Sequence, residues 1–543
     1  MVTSTWMGLA LTASLAYASK ASTSSNTVTF ANDNEFLFDV DGNQIDAYAT
    51  KINYFTTSEG SQYYLYGISF ASPGSTGDGP LTSYSSVDLV NWKYNGLLSE
   101  TVGGGRPHVV YNAATKKYVL WVNIDGGYQV ATSSSPAGGF VSVGDAAIDP
   151  SVSAAGLIGA DHSVATFGEQ AYLAYSTLNF ADPRAGSLWP PIFQTMHLSP
   201  LTSDFTNTTL QGYNVTSAAF DDVDQQTESP DMFMRDNTMY VVTSNTCGFC
   251  SGSIGAVYRA ATPGLPTAST KWKRNIVSGY SCGGQVEGVL PLTDPATGKV
   301  TYVWHSTTVP GGPRVGFSGH IFQPLQFAAD GSVLDLDCRP SKTWQVPFTP
   351  GNVSAAYTGN LTKATDASPR FANYQPVCDS DRYSALYQTW TNSKAGVLRS
   401  VSVNVAAGGN NANLTISVFA FSNLTALVAP SYKYTLLGSA TFSPDQLTQV
   451  FGTAIVPLNA TVQAGQMLGF AFGEAGGTGA FNLGNFIPYC HLEYDTSGHG
   501  SESKGQVLLQ QGSGQNSFRG IRGTTSPVTV RHGKGIKFFA TVE

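Results

Sequence analysis

Along the first 345 residues the apolar positions fall in short runs, and one kind of run recurs five times. Each copy is an aromatic and β-branched stretch, most ending on a small or polar residue. The copies are Tyr63-Tyr64-Leu65-Tyr66-Gly67, Tyr118-Val119-Leu120-Trp121-Val122, Tyr172-Leu173-Ala174-Tyr175-Ser176, Tyr240-Val241-Val242-Thr243-Ser244 and Tyr302-Val303-Trp304-His305-Ser306. Measured between Tyr64, Tyr118, Tyr172, Tyr240 and Tyr302, the spacings are 54, 54, 68 and 62 residues. A period of this size, with turn residues between the runs, points to propeller blades of four strands each. The prediction is an all-β fold that opens with a five-bladed β-propeller over residues 28–348. Further strands fill the units: Tyr84-Ser85-Ser86 leads into Asp88-Leu89-Val90-Asn91-Trp92, and residues 128–132 precede the turn Ser135-Pro136-Ala137-Gly138. Apolar and polar positions alternate well, and no long amphipathic helix is visible. A β-sandwich also has many short strands, but it does not account for five similar ones at this spacing.

Past Thr349-Pro350-Gly351, which reads as a linker, the pattern changes. Residues 398–405, 414–421 and 467–472 alternate as strands. A second domain is predicted over 355–543, a β-sandwich of jelly-roll type, with Cys378 and Cys490 bridged across it. Two roles suit it, a polysaccharide-binding module or a structural cap. Trp390 is the only Trp in this unit, and it either stacks on a sugar or belongs to the core.

A chain of 543 residues exceeds what one hydrophobic core supports, which agrees with two domains. Charged residues are only 12%, and the net charge is −8. Repulsion from phosphate backbones argues against a nucleic-acid partner, while neutral glycans are indifferent to it. Residues 7–18 are largely apolar and end in Ala16-Tyr17-Ala18, a small-x-small site, so residues 1–18 read as a signal peptide, although no Lys or Arg precedes the apolar run. A Ser/Thr-rich leader, 19–27, follows. No segment offers the apolar length of a membrane span. Seven N-x-Ser/Thr sequons, at Asn207, Asn214, Asn352, Asn360, Asn413, Asn423 and Asn459, and an even six cysteines also suit an extracellular protein. Cys247-Gly-Phe-Cys250 could be half a zinc site or a redox motif. With no second CxxC and no βαβ pattern, a structural disulfide is the better reading. A monomer without cofactor or metal is expected, with an axial Ca²⁺ left open.

The chemistry lies upstream of the repeats. Asp46 is 18 residues before Tyr64, Arg106-Pro107-His108 begins 12 before Tyr118, Asp161-His162 begins 11 before Tyr172, Glu228 is 12 before Tyr240 and Gln285 is 17 before Tyr302. If these segments are the innermost strands, three carboxylates, an Arg, two His and a Gln meet at one axis. Such a group suits glycoside hydrolysis: one carboxyl protonates the leaving oxygen, and a second, roughly 6.5–9.5 Å away in inverting enzymes, activates water. A third carboxylate beside the acid keeps it protonated. The plain alternative is solvated surface carboxylates. Asp46, close behind Asp39, Asp41 and Gly42, also fits simple turn chemistry.

These segments resemble glycoside hydrolase family 43, a family of five-bladed propellers, in particular its branch near the exo-β-1,3-galactanases. The resemblance rests on Asp41-Gly42-Asn43-Gln44-Ile45-Asp46-Ala47-Tyr48, Arg106-Pro107-His108-Val109-Val110-Tyr111-Asn112, Gly159-Ala160-Asp161-His162-Ser163, Thr227-Glu228-Ser229-Pro230 and Ser281-Cys282-Gly283-Gly284-Gln285. Asn245-Thr246-Cys247-Gly248-Phe249-Cys250 also looks like a cysteine motif of this branch, and the likeness covers roughly residues 30–345. It implies Glu228 as general acid, Asp161 as the carboxylate that tunes it, and Asp46 at the position of the family's general base. It also implies Gln285 at the position of the Gln that holds water in the galactanase branch. Asp46 is the favoured base, with Gln285 binding water or sugar. Arg106, His108 and His162 are expected to bind substrate. The chain departs from the galactanases at Gly105, where they carry Glu, at Tyr48, where the family has His, and at Ser229, where Gly or Ala is commoner.

The expected function is therefore secreted, inverting hydrolysis of galactan, arabinan or xylan side chains of plant or algal-type polysaccharides. A non-catalytic glycan-binding propeller is the alternative. A fructan-active propeller ranks last, since no Asn-Asp-Pro-Asn-Gly or Glu-Cys segment is present.

Overall fold

The computed structural model describes residues 26–31, 36–70, 79–179, 193–216, 223–245, 253–279, 281–308, 319–339, 342–353, 357–369, 374–378, 385–406, 413–421, 434–447, 450–475, 489–496, 507–510, 528–531 and 533–543. The Cys247-Gly-Phe-Cys250 motif lies outside these residues.

Five antiparallel sheets follow one another along the chain, each with its strands paired in chain order. Sheet I is Tyr48–Thr57, Gly60–Ile68, Leu81–Ser86 and Trp92–Leu97. Sheet II is Gly105–Asn112, Lys117–Ile124, Gly127–Ser133 and Val141–Ala146. Sheet III is Ile158–Phe167, Gln170–Asn179, Phe193–Pro200 and Tyr213–Asn214. Sheet IV is Thr227–Arg235, Thr238–Asn245, Gly255–Ala260 and Trp272–Ser278. Sheet V is Gln285–Thr293, Val300–Thr308 and Gly319–Pro324.

The five repeated runs are the second strands of these sheets. Their unbroken apolar character has a packing cause, because both faces of each are covered by neighbouring sheets. Tyr64 and Tyr66 pack with Val109, Tyr118 and Leu120 between sheets I and II. Val119 and Trp121 meet Leu173 and Tyr175 between II and III. Tyr172 and Ala174 meet Met232 and Val241 between III and IV. Tyr240 and Val242 meet Val289 and Trp304 between IV and V. Leu65 meets Leu290 and Val303 between I and V. The first strand of each sheet touches the first strand of the next, and that of sheet V returns to sheet I, so the five form a closed ring. Asn26–Ala31 pairs antiparallel with Thr343–Phe348 and packs Val28 and Phe30 into the core between sheets I and V.

The C-terminal part builds a seven-stranded and a six-stranded sheet. Leu398, Val401 and Val403 from one share a core with Leu414, Ile416, Val418 and Phe470 from the other. Trp390 lies in that core against Phe470 and Phe538, with ring centroids 6.4 and 4.9 Å away. It is therefore a packing residue. Cys378 bonds to Cys490 and Cys282 to Cys338.

The two parts are joined by a buried seam. Phe36 and Phe38, just ahead of sheet I, pack with Tyr374, Phe451, Leu492 and Tyr494. Asn404 Nδ2 donates to the Gly42 carbonyl at 2.7 Å, and Gln44 and Phe451 exchange two hydrogen bonds of 3.0 Å. Gly42 has φ 89°, and a Cβ there would stand 2.6 Å from the Phe539 ring, so only glycine fits this turn.

Candidate functional site

All five first strands break their ladder near the start, between Tyr48 and Lys51, Gly105 and His108, Gly159 and His162, Glu228 and Asp231, and Val286 and Gly288. A bulge frees residues from pairing and re-aims their side chains. Pro107 and Pro230 sit inside two of these bulges, where a missing N–H leaves no ladder bond unmade. Ala49, Arg106 and Ser229 take φ of 49°, 48° and 54° there. Residues with a Cβ enter that region at a cost on the order of 1 kcal/mol or more, and such positions concentrate at functional sites.

The bulges of sheets II to V deliver one polar network. Arg106, buried at 4% exposure, places Nε 3.1 Å from Asp161 Oδ2. Its Nη2 donates to Ser229 Oγ and, at 3.2 Å, to Gln285 Oε1. Ser229 donates its backbone N–H to Asp161 Oδ2 at 3.1 Å. Gln285 Nε2 donates to Glu228 Oε1, and Gln194 Nε2 donates to Glu228 Oε2 at 2.9 Å. A guanidinium has only donors, so the Gln285 atom facing Arg106 is its carbonyl, and its NH₂ necessarily faces Glu228. Burial works against the charge of Arg106, but Asp161, Glu287 and Glu228 outweigh it and raise its pKa.

Beneath this network lies a second layer, from the residues just after the bulges. Lys51 Nζ pairs with Asp231 Oδ2. Asp231 also accepts from Ser163 Oγ and from the Val289 N–H, both at 2.7 Å, so one carboxylate joins sheets I, III, IV and V. A Cβ on Gly288 would come 2.8 Å from Asp231 Oδ2 and 3.2 Å from Lys51 Nζ, and glycine makes room for the pair. His108 and His162, at 1% and 0% exposure, sit here with ring centroids 5.4 Å apart. Burial pushes His162 down to about 3 and His108 well below the usual histidine range, so both are neutral.

Of the residues singled out from sequence, Arg106, Asp161, Glu228 and Gln285 are thus brought into direct contact. His108 and His162 lie buried under them. Asp46 stands two residues ahead of the first strand of sheet I, and it is held by the third strand of that sheet and by the residues just after its second strand. Its carboxylate accepts from Ser69 Oγ and the Phe70 N–H, its N–H donates to Tyr84 Oη at 2.9 Å, and its carbonyl accepts from Thr82 Oγ1 at 2.7 Å.

Sequence reasoning missed Gln194, Lys51, Asp231 and Glu287. Glu287 left a usable signal, two residues after Gln285 on the same strand. Gln194, on the third strand of sheet III, left none, because only folding brings it to Glu228. A cleft lined by Arg235, Asp236, Arg259, Phe327 and Asp330 opens at the hairpin end of sheet IV, the end opposite Glu228.

No family model and no curated protein matches the sequence. Among solved structures the chain is similar to exo-β-1,3-galactanases. One from Phanerochaete chrysosporium, solved with β-1,3-galactotriose, is 16% identical over 86% of this chain and 98% of its own, with a TM-score of 0.45. One from Clostridium thermocellum is 15% identical over 93% of this chain and 99% of its own, with a TM-score of 0.45. A family 43 β-1,3-galactosidase solved with galactodeoxynojirimycin is 20% identical over 57% of this chain and 99% of its own, with a TM-score of 0.43.

Proposed function

We propose that this chain is a secreted glycoside hydrolase of the family 43 kind, which cleaves glycosidic bonds of plant or algal-type polysaccharides with inversion. In this reading the ring of five sheets is a five-bladed β-propeller and the C-terminal sheets are a jelly-roll-like β-sandwich. The observation that carries the proposal is the seating of Glu228. A nearly buried carboxyl stands at the ring axis and is tied through Gln285, Arg106 and Ser229 to Asp161. A solvated surface carboxylate has no such support.

The roles follow from the contacts. Glu228 delivers a proton to the glycosidic oxygen, and that oxygen displaces one of the two amides now on the carboxyl. Asp161 sets the local field with Arg106 and faces the sugar. Gln285 has both ends of its amide engaged, by Arg106 and Glu228, which supports Asp46 as the base that activates water. His108 and His162 support the floor of the site rather than touch sugar. A calcium ion at the axis is not part of this reading. The Lys51 ammonium already pairs with Asp231, and among the described residues no group of three His, Cys, Asp or Glu could hold a metal. The two disulfides support an oxidising, extracellular setting.

The test is hydrolysis of β-1,3-galactan, arabinan, xylan and aryl glycosides by wild type and Glu228→Gln, with NMR to follow the anomer released. The expected result is inversion on at least one substrate and a fall of roughly 10²–10⁴-fold in the variant, with sugar binding kept. Binding without hydrolysis by wild type would show a glycan-binding protein instead. Equal rates in variant and wild type would remove Glu228 as the acid.

A further inference from the structure

One buried carboxyl at the axis has no part in the mechanism above. Glu287 is the bulged residue of sheet V and is wholly shielded from solvent. Thr307 Oγ1 donates to its Oε1. Its Oε2 stands 3.9 Å from Arg106 Nη1. Each nitrogen of the Arg106 guanidinium therefore faces a different part of the site: Nε faces Asp161, Nη2 faces Ser229 and Gln285, and Nη1 faces Glu287.

We propose that Glu287 is a positioning residue, which anchors the third nitrogen of Arg106 so that the other two hold Asp161, Ser229 and Gln285, and through Gln285 the carboxyl of Glu228. A guanidinium is a rigid plane, so fixing one corner fixes the other two. Without Glu287, Arg106 would settle wholly on Asp161 and tilt away from Gln285.

The charges around Glu287 make this contact pH-dependent. Arg106 faces it from sheet II, Asp161 from sheet III, and Glu228 lies beyond Arg106 on sheet IV. The Lys51–Asp231 pair lies beside Gly288, with His305 of the second strand of sheet V close to Lys51. Burial, with Asp161, pushes Glu287 up to about 7, against the opposing pull of Arg106, the Thr307 hydroxyl and the Thr50 backbone N–H. Below that pH Glu287 is neutral and Arg106 gives its charge to Asp161. Above it the Glu287 carboxylate holds Nη1, and Arg106 keeps its place on Gln285. Activity is expected to rise as pH rises through this titration, because the ionised Glu287 is the form that anchors Arg106.

The catalytic half of this inference rests on the hydrolase reading, but the positional half does not. The experiment is therefore crystallography of full-length Glu287→Ala and Glu287→Gln, together with pH profiles on β-1,3-galactan. In Glu287→Ala, Arg106 should leave Gln285, and kcat should drop roughly 10- to 100-fold with KM little changed. Glu287→Gln, uncharged at every pH, should lose the rise in activity near neutrality. Arg106 and Gln285 unmoved in Glu287→Ala crystals would overturn the inference. If that variant does not fold, a Glu287→Gln pH profile identical to wild type would do the same. A wild type that hydrolyses no glycan would sink the hydrolase reading alone, and the crystals would still decide the position of Arg106.

Discussion

Gln285 accepts a hydrogen bond from Arg106 at 3.2 Å, and this contact dictates which end of its amide meets Glu228. A clamp and a water-holder respond differently to substitution here. If Gln285 held the water, Gln285→Glu would supply a base and outperform Gln285→Ala. As a clamp, the added carboxylate faces the oxygen of Glu228 and repels it. Gln285→Glu is expected to be the slower of the two on β-1,3-galactan, despite its closer size. Both should lose about 10²-fold or more in kcat. Steady-state kinetics on the two variants give the order directly, and the reverse order would return Gln285 to the water.

The Lys51–Asp231 pair joins sheets I and IV, and Asp231 also holds sheets III and V. Removing one partner leaves an uncompensated buried charge. Lys51→Met should therefore cost about 3–5 kcal/mol in denaturant unfolding, more than an exposed pair would. Gly288→Ala should also destabilise, since its methyl enters the pair. A loss under about 1 kcal/mol for Lys51→Met would show that the ring closes without this pair.

Much of the ring could be read from sequence because each second strand is covered on both faces, which forces a continuous apolar run such as Tyr172-Leu173-Ala174-Tyr175. The polar starts of the first strands stood out against that background, so Arg106, Asp161, Glu228 and Gln285 could be singled out, and the structure joins these four side chains in one network. Depth along the axis was not legible. His108 and His162 read as sugar ligands, and the structure buries both rings, 5.4 Å apart, just past the bulges that carry Arg106 and Asp161. Gln194 reaches Glu228 from the neighbouring sheet, and no local pattern encodes such a contact.

The seam between the two parts argues against a loosely tethered C-terminal module. Phe451 is fully buried and exchanges two hydrogen bonds with Gln44, two residues from Asp46. Phe451→Ala should cost about 3–5 kcal/mol and lower the thermal midpoint accordingly. A chain ending at residue 353 would expose Phe36 and Phe38 and is expected to aggregate rather than stay soluble and active. A stable, active fragment would show that the C-terminal sheets are dispensable for the site.

Acid should unfold this protein early, and the sign follows from its histidines. His162 is pushed to about 3, His197 and His320 to about 4, and His108 and His305 well below the usual range, with burial the main cause in each. In the unfolded chain each titrates near 6.5, so below that pH the unfolded state binds more protons and stability falls as pH drops. Between pH 7 and 5 each histidine removes about 2 kcal/mol, as an upper figure. Glu287, raised to about 7, and Asp39, raised to about 6, act in the opposite direction, because the folded state takes up their protons first. Two carboxyls return about 3 kcal/mol over the same window, so the histidines prevail by number. Thermal melts should show a lower midpoint at pH 5 than at pH 7. His320→Gln should flatten that slope while keeping a polar partner for His305, whose Nε2 lies 3.0 Å from His320 Nδ1. A midpoint unchanged or higher at pH 5 would mean that these rings are charged, or relieved by water, in the folded protein.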